Sequence, residues 1–146
     1  MVSNGKVYCL IGQEPDHCQG AGNLVCLDAK GQEVWSYGKI HRSMSTVAIA
    51  EGLLFAVDYA GFVYCLDAAT GQELWIHDTM GATWASPLVV DGRVYVGNED
   101  GYLTVIPASK EYAKKQVIEL ELSSPVYSSM IVANGALYLG THTHLY

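Results

Sequence analysis

Short apolar runs separated by turn-forming residues recur along the whole chain. They include Val7-Tyr8-Cys9-Leu10-Ile11, Leu24-Val25-Cys26-Leu27, Leu53-Leu54-Phe55-Ala56-Val57, Phe62-Val63-Tyr64-Cys65-Leu66 and Leu103-Thr104-Val105-Ile106. They are rich in β-branched and aromatic side chains and are bounded by Gly, Asn, Asp and Thr, which pre-form turns or tolerate positive φ. The pattern predicts strands. Strict in–out alternation is weak, which predicts sheets covered on both faces. Two phrases keep step with each other. A turn pair precedes an apolar strand at Asn4-Gly5, Glu51-Gly52, Asp91-Gly92 and Asn134-Gly135. Leu24-Val25-Cys26-Leu27-Asp28-Ala29 leads to Gly31-Gln32-Glu33-Val34-Trp35, and Val63-Tyr64-Cys65-Leu66-Asp67-Ala68 leads to Gly71-Gln72-Glu73-Leu74-Trp75. A third copy, Leu103 to Ala108, keeps the place but has lost the Trp.

A period of about 40 residues with four short strands per unit is the mark of a β-propeller. In the second unit the strands are read as Leu53 to Asp58, Phe62 to Ala68, Glu73 to His77 and Trp84 to Val90. The units run approximately over 4–50, 51–90 and 91–133, with a fourth starting in 134–146. The expected fold is therefore all-β: about three four-stranded antiparallel blades plus a surplus C-terminal strand. A long connection at 13–22 interrupts the first unit. In the third unit, Ser109 to Lys115 replaces a tight turn by a short irregular or helical excursion. Propellers close with about four to eight blades. A chain of three units is expected to be completed by flanking blades or by a second copy, and the register of its ends favours a piece of a longer ring.

Half of the 146 residues are hydrophobic and 16% are charged, in keeping with sheets buried on both faces. The formal net charge of -7 argues against an electrostatic grip on nucleic acid. No apolar stretch approaches the length of a membrane span. The N-terminal residues lead straight into a turn and a strand, without the apolar core of a secretory signal. Cys26 and Cys65 hold one place in successive units, where the third has Val105, so they read as small buried hydrophobes. A disulfide between Cys9 and Cys26 on neighbouring strands is open but geometrically demanding.

Candidate chemistry is sparse. Glu14, Asp16, His17 and Cys18 share the long loop of the first unit. Their spacing matches no metal site, and a contact loop is the better reading, because propellers engage partners through the loops at their faces. His142 and His144 are two positions apart and would share one side of a strand. Ser86, Ser124, Ser128 and Ser129 stand in no nucleophile elbow. Asn98-Glu99-Asp100-Gly101 has no calcium-loop spacing and matches the turn Asp58-Tyr59-Ala60-Gly61. Trp84 precedes Ser86-Pro87 and is a candidate for the channel or a partner contact.

Ala68-Ala69-Thr70-Gly71-Gln72-Glu73-Leu74-Trp75, and the shorter copy Ala29-Lys30-Gly31-Gln32-Glu33-Val34-Trp35, resemble the repeat of the pyrroloquinoline quinone (PQQ) type propeller family. The resemblance covers essentially the whole chain. It implies blade-docking roles for Trp35, Trp75, Gly31, Gly71, Asp28 and Asp67. Two functions follow from it. Repeats without cofactor ligands are similar to the BamB-like branch, non-catalytic scaffolds that bind protein partners through their loops, without a cofactor. The alternative is a fragment of a PQQ-dependent dehydrogenase with PQQ and calcium. The lack of an adjacent cysteine pair favours the scaffold. The resemblance also implies a periplasmic or extracytoplasmic site for a full-length protein.

Overall fold

In a computed structural model, residues 1–12 and 20–146 are described. The contact-loop residues Glu14, Asp16 and His17 lie outside them. Fourteen strands follow in order: β1 Val2–Ser3, β2 Lys6–Gly12, β3 Gly22–Leu27, β4 Glu33–Tyr37, β5 Ala48–Ala50, β6 Leu53–Val57, β7 Phe62–Asp67, β8 Glu73–Asp78, β9 Leu88–Val90, β10 Arg93–Gly97, β11 Tyr102–Pro107, β12 Ile118–Glu121, β13 Ile131–Ala133 and β14 Ala136–Tyr138. A 3₁₀ turn, Lys114–Gln116, closes the third unit's excursion.

These strands form three four-stranded antiparallel sheets, β1–β4, β5–β8 and β9–β12, and the hairpin β13–β14. The architecture is a partial β-propeller. Each sheet opens on the same hairpin. Asn4, Glu51, Asp91 and Asn134 have φ of 49–52°, and the glycine after each is also positive, so both central residues of the turn are left-handed. That is the type I′ turn, whose twist matches antiparallel strands. The sheets run out of phase with the sequence units: the last strand of one unit, β5 or β9, is the first strand of the next sheet.

The core lies between sheets. Tyr8, Leu24, Cys26 and Trp35 of the first sheet pack on Leu54, Ala56, Tyr64 and Leu66 of the second. Phe55, Val57, Cys65 and Trp75 on the other side of the second sheet pack on Val94, Val96 and Ile106 of the third. Leu103 and Val105 then meet Val126, Met130 and Leu139. Burial along the strands follows from this order. Every residue of β6 is buried, because that sheet is covered on both faces. In β4, Trp35 and Tyr37 are buried and Val34 and Ser36 exposed, because only one face is covered.

Two details differ from the sequence reading, the start of β9 and the place of His142 and His144, and two others complete it. Trp84 lies before β9 and outside the ladder; Pro87 offers no N–H there, and the Ser86 N–H donates to Ser129 Oγ at 3.0 Å instead. The surplus C-terminal strand, β14, pairs with β13. His142 and His144 sit in a turn closed by the bridge Gly140–Leu145, so they share no strand face. Cys9 pairs in register with Val25, and Cys26 with Tyr8. The two cysteines therefore point to opposite faces of the sheet, and both are free thiols.

Candidate functional site

The antiparallel order gives the molecule two rims. On one lie the type I′ hairpins and the turns after β3, β7 and β11. Here the family-type residues gather. Asp67 Oδ1 accepts from the N–H groups of Ala69 and Thr70 at 3.0 Å and from the Thr70 hydroxyl. These bonds hold its carboxyl below the usual carboxylate range, the Thr70 hydroxyl foremost. Asp28 ties its own turn through the N–H groups of Lys30 and Gln32. The tryptophans then cross between blades. Trp35 Nε1 donates to Ala68 O at 3.2 Å, joined by Tyr8 Oη at 3.1 Å. Trp75 Nε1 donates to Ser109 O at 2.8 Å. Trp35 lies directly on Gly71. Gly31, the same position one unit earlier, has φ of +79° and open space beside it. On this rim the side chains of Asp28 and Asp67 are engaged in turns and those of Trp35, Trp75 and Tyr8 in contacts between blades, while Asp91, Arg93, Lys115 and Gln116 line an open cleft of about 520 Å³.

The other rim is built from the connections 38–47, 79–87 and 122–130 and the turns after β6 and β10. Buried groups fix its base. Asp58 is fully buried and accepts from Tyr64 Oη at 2.7 Å, Phe62 N at 3.0 Å and both the backbone N–H (3.2 Å) and Nδ1 (2.8 Å) of His41. Burial, then this carboxylate, pushes the Tyr64 phenol far above its ordinary range. Asn98 does the same work one blade on, accepting from Tyr102 N and donating to Thr79 O. Because Asn replaces Asp at this place, the Asp58–His41 pair reads as a turn anchor rather than a catalytic dyad. A ladder of hydroxyls links the blades: Thr46 N donates to Ser86 Oγ and Ser86 N to Ser129 Oγ, each at 3.0 Å.

On this base stands an arc of large side chains in solvent. Met44, Trp84 and Tyr127 are 54%, 38% and 50% exposed. They occupy one place in three successive connections, eight positions before the glycine of the next turn pair. That spacing is a signal present in the sequence; Trp84 stands out there on another ground, its place before Ser86-Pro87. Trp84 meets Tyr127 edge-on at 6.0 Å and Tyr59 at 5.1 Å. Its Nε1 donates to Glu99 Oε2 at 2.9 Å. Arg42 lies over the Tyr59 ring, 4.4 Å from the centroid. Gly12 and Gly22, the two ends of the long loop, pack against the Arg42 and His41 backbone, so that loop springs from the same rim. Beside the arc a cleft of about 480 Å³ is lined by Tyr59, Phe62, Asp78, Met80 and Asp100.

Among the described residues, no group of three or more His, Cys, Asp or Glu could hold a metal ion, and no helix is long and apolar enough to cross a membrane. PQQ with calcium would need several oxygen ligands gathered beside a ring, and among the described residues no group of three or more His, Cys, Asp or Glu stands beside Trp84.

Residues 20–116 match the family described as outer membrane protein assembly factor BamB. The chain is 30% identical over 120 residues to outer membrane protein assembly factor BamB of Shewanella oneidensis, covering 81% of this chain and 29% of that protein. It thus spans under a third of that relative's length. The crystal structure of BamB from Moraxella catarrhalis superposes with a TM-score of 0.69 at 19% identity, over 85% of this chain and 40% of that one. Quinohemoprotein alcohol dehydrogenase from Comamonas testosteroni gives a TM-score of 0.70 at 19% identity, over 96% and 28%. At these identities the two structures show the fold alone.

Proposed function

Because the chain belongs to the family described as outer membrane protein assembly factor BamB, we propose that it is a non-catalytic, extracytoplasmic binding module of outer-membrane protein assembly. Its loop rim holds a protein partner. The observation that carries this reading is the arc Met44–Trp84–Tyr127: large apolar side chains kept in solvent at one place in successive units. Isolated exposed hydrophobes are common, but large ones repeated at one place of successive loops on a single rim, two of them in contact, mark an interaction site.

Calorimetric titration of the full-length protein into the outer-membrane assembly complex of its host, purified without it, tests this. Replacing Met44 and Tyr127 by Ser and Trp84 by Ala together should weaken binding at least about tenfold, since buried aromatic anchors dominate interface energies. Lys at Asn134, on the opposite rim, should leave it unchanged. An affinity untouched by the triple substitution contradicts the proposal. Under the dehydrogenase reading, PQQ with calcium would raise the thermal midpoint; the account expects no shift.

The outward face of the first sheet keeps Cys9, Ile11 and Val34 in solvent. We propose that a further blade or a second copy covers it, completing the ring. Light scattering of this chain alone should then give a dimer or larger species, and a monomer at tens of micromolar is the contrary result.

A further inference from the structure

Resting on the binding-module reading, we propose that the loop rim recognises an extended polypeptide segment bearing arginine or lysine, whose cationic side chains lie on Trp84 and Tyr127 beside Glu99. Three observations converge on this chemistry.

The rings present π surface to solvent. Trp84 and Tyr127 meet nearly perpendicular, at 80°, and Trp84 is held from a further side by Tyr59. Aromatic faces attract guanidinium and ammonium groups, and most strongly where the cation is partly desolvated.

The molecule already makes this contact with itself. Arg42 lies 4.4 Å from the centre of Tyr59, the ring that packs on Trp84. A guanidinium is thus accommodated on a ring that touches Trp84, and among the described residues no cation lies over Trp84 or Tyr127.

The charge of the surroundings is complementary. Glu99 reaches the Trp84 indole nitrogen. The adjoining cleft is walled by Asp78 and Asp100, with Tyr59, Phe62 and Met80 giving an apolar floor and no basic residue among them. A second cleft of about 280 Å³ on the other side of Met80 and Asp100 adds Glu119. A long side chain with an apolar stem and a cationic head matches such a surface along its whole length. On a chain of net charge -7, an acidic segment is repelled.

The probe is a fluorescein-labelled, unstructured twelve-residue peptide of Thr, Tyr and Ser with two arginines, compared with otherwise identical peptides carrying glutamate or norleucine at those two places. Binding to the full-length protein is read by anisotropy at two salt concentrations. The arginine peptide should bind, the norleucine peptide about tenfold more weakly and the glutamate peptide not measurably, with the arginine affinity falling as salt rises. Trp84→Ala should weaken the arginine peptide about tenfold. Glu99→Gln, which keeps an acceptor for the indole N–H, should weaken it about threefold without lowering the melting temperature, so that loss of fold is excluded as the cause. Equal binding of all three peptides, an affinity indifferent to both substitutions, or no binding by any of them overturns this inference. The binding-module reading is judged separately, by calorimetry with the assembly complex.

Discussion

Trp35 and Gly71 occupy one site between two blades: a methyl group on Gly71 would come within 2.6 Å of the Trp35 ring atoms Cδ2 and Cε3. The glycine is needed twice, for the ring and for a φ of +73°. Gly31 has the same left-handed backbone with no ring above it. Gly31→Ala should therefore cost only the conformational penalty, about 1–2 kcal/mol. Gly71→Ala should cost that and a further overpacking penalty of about 1–3 kcal/mol. Denaturant unfolding of the two variants checks the difference, and equal losses would show that the ring is not docked there.

The second dock uses different partners. Trp75 packs on Tyr112 of the excursion at 5.5 Å and on Phe55 at 5.9 Å. Trp75→Ala should cost about 3–5 kcal/mol, the range for truncating a large core aromatic. Ile118, which pairs with Val105 as Trp75 pairs with Cys65, is 44% exposed. Ile118→Ala should stay within about 1 kcal/mol. The same unfolding experiment decides, and comparable losses at the two positions contradict the assignment.

His77 links this dock to pH. Its Nδ1 lies 2.7 Å from Tyr112 Oη, and its Nε2 is buried without a partner. Burial lowers its pKa, with Lys114 adding to the effect and Glu119 and Asp78 opposing it. The folded state thus binds a proton less readily than the unfolded chain. The contribution of His77 is fully present above the unfolded value of about 6.5 and is lost as pH falls below it, at no more than about 1.4 kcal/mol per pH unit. Stability measured from pH 7.5 down to 5 should fall less steeply in His77→Gln than in the parent. Parallel curves would remove His77 from the account.

The thiols report the sheet faces. Cys9 is exposed, whereas Cys26 and Cys65 are buried, and burial pushes the Cys65 thiol up to about 12. In a Cys18→Ser background of residues 1–146, diluted below the concentration at which copies associate, a maleimide should label Cys9 in the native state and the other two only after unfolding. Oxidation should form no Cys9–Cys26 bond, because the two side chains leave opposite faces. Rapid native labelling of Cys26 would contradict the register.

The repeated turn pairs and the Leu-x-Cys-Leu-Asp-Ala phrase made the sheets legible, because each unit must build the same hairpins and the same strand surfaces. The turn of the third unit was legible as an excursion, but its use was not. Tyr112 packs on Trp75 through a contact 37 residues away in sequence, and no local period encodes it. The start of β9 differs from the sequence reading because the Ser86 N–H is given to Ser129 Oγ and Pro87 has no N–H to give a ladder. The exposed arc was half legible: the eight-residue spacing places Met44, Trp84 and Tyr127 in one register, but exposure depends on what the neighbouring blade leaves open.

The central claim is that the loop rim, and not the rim of hairpin turns, meets the partner. A photoreactive phenylalanine analogue placed at position 44 or 127, and in parallel at position 92 or 134, tests it in living cells. The account predicts covalent adducts with a protein of outer-membrane assembly from 44 and 127 and none from 92 or 134. Adducts confined to the hairpin rim, or absent from both rims, would contradict it.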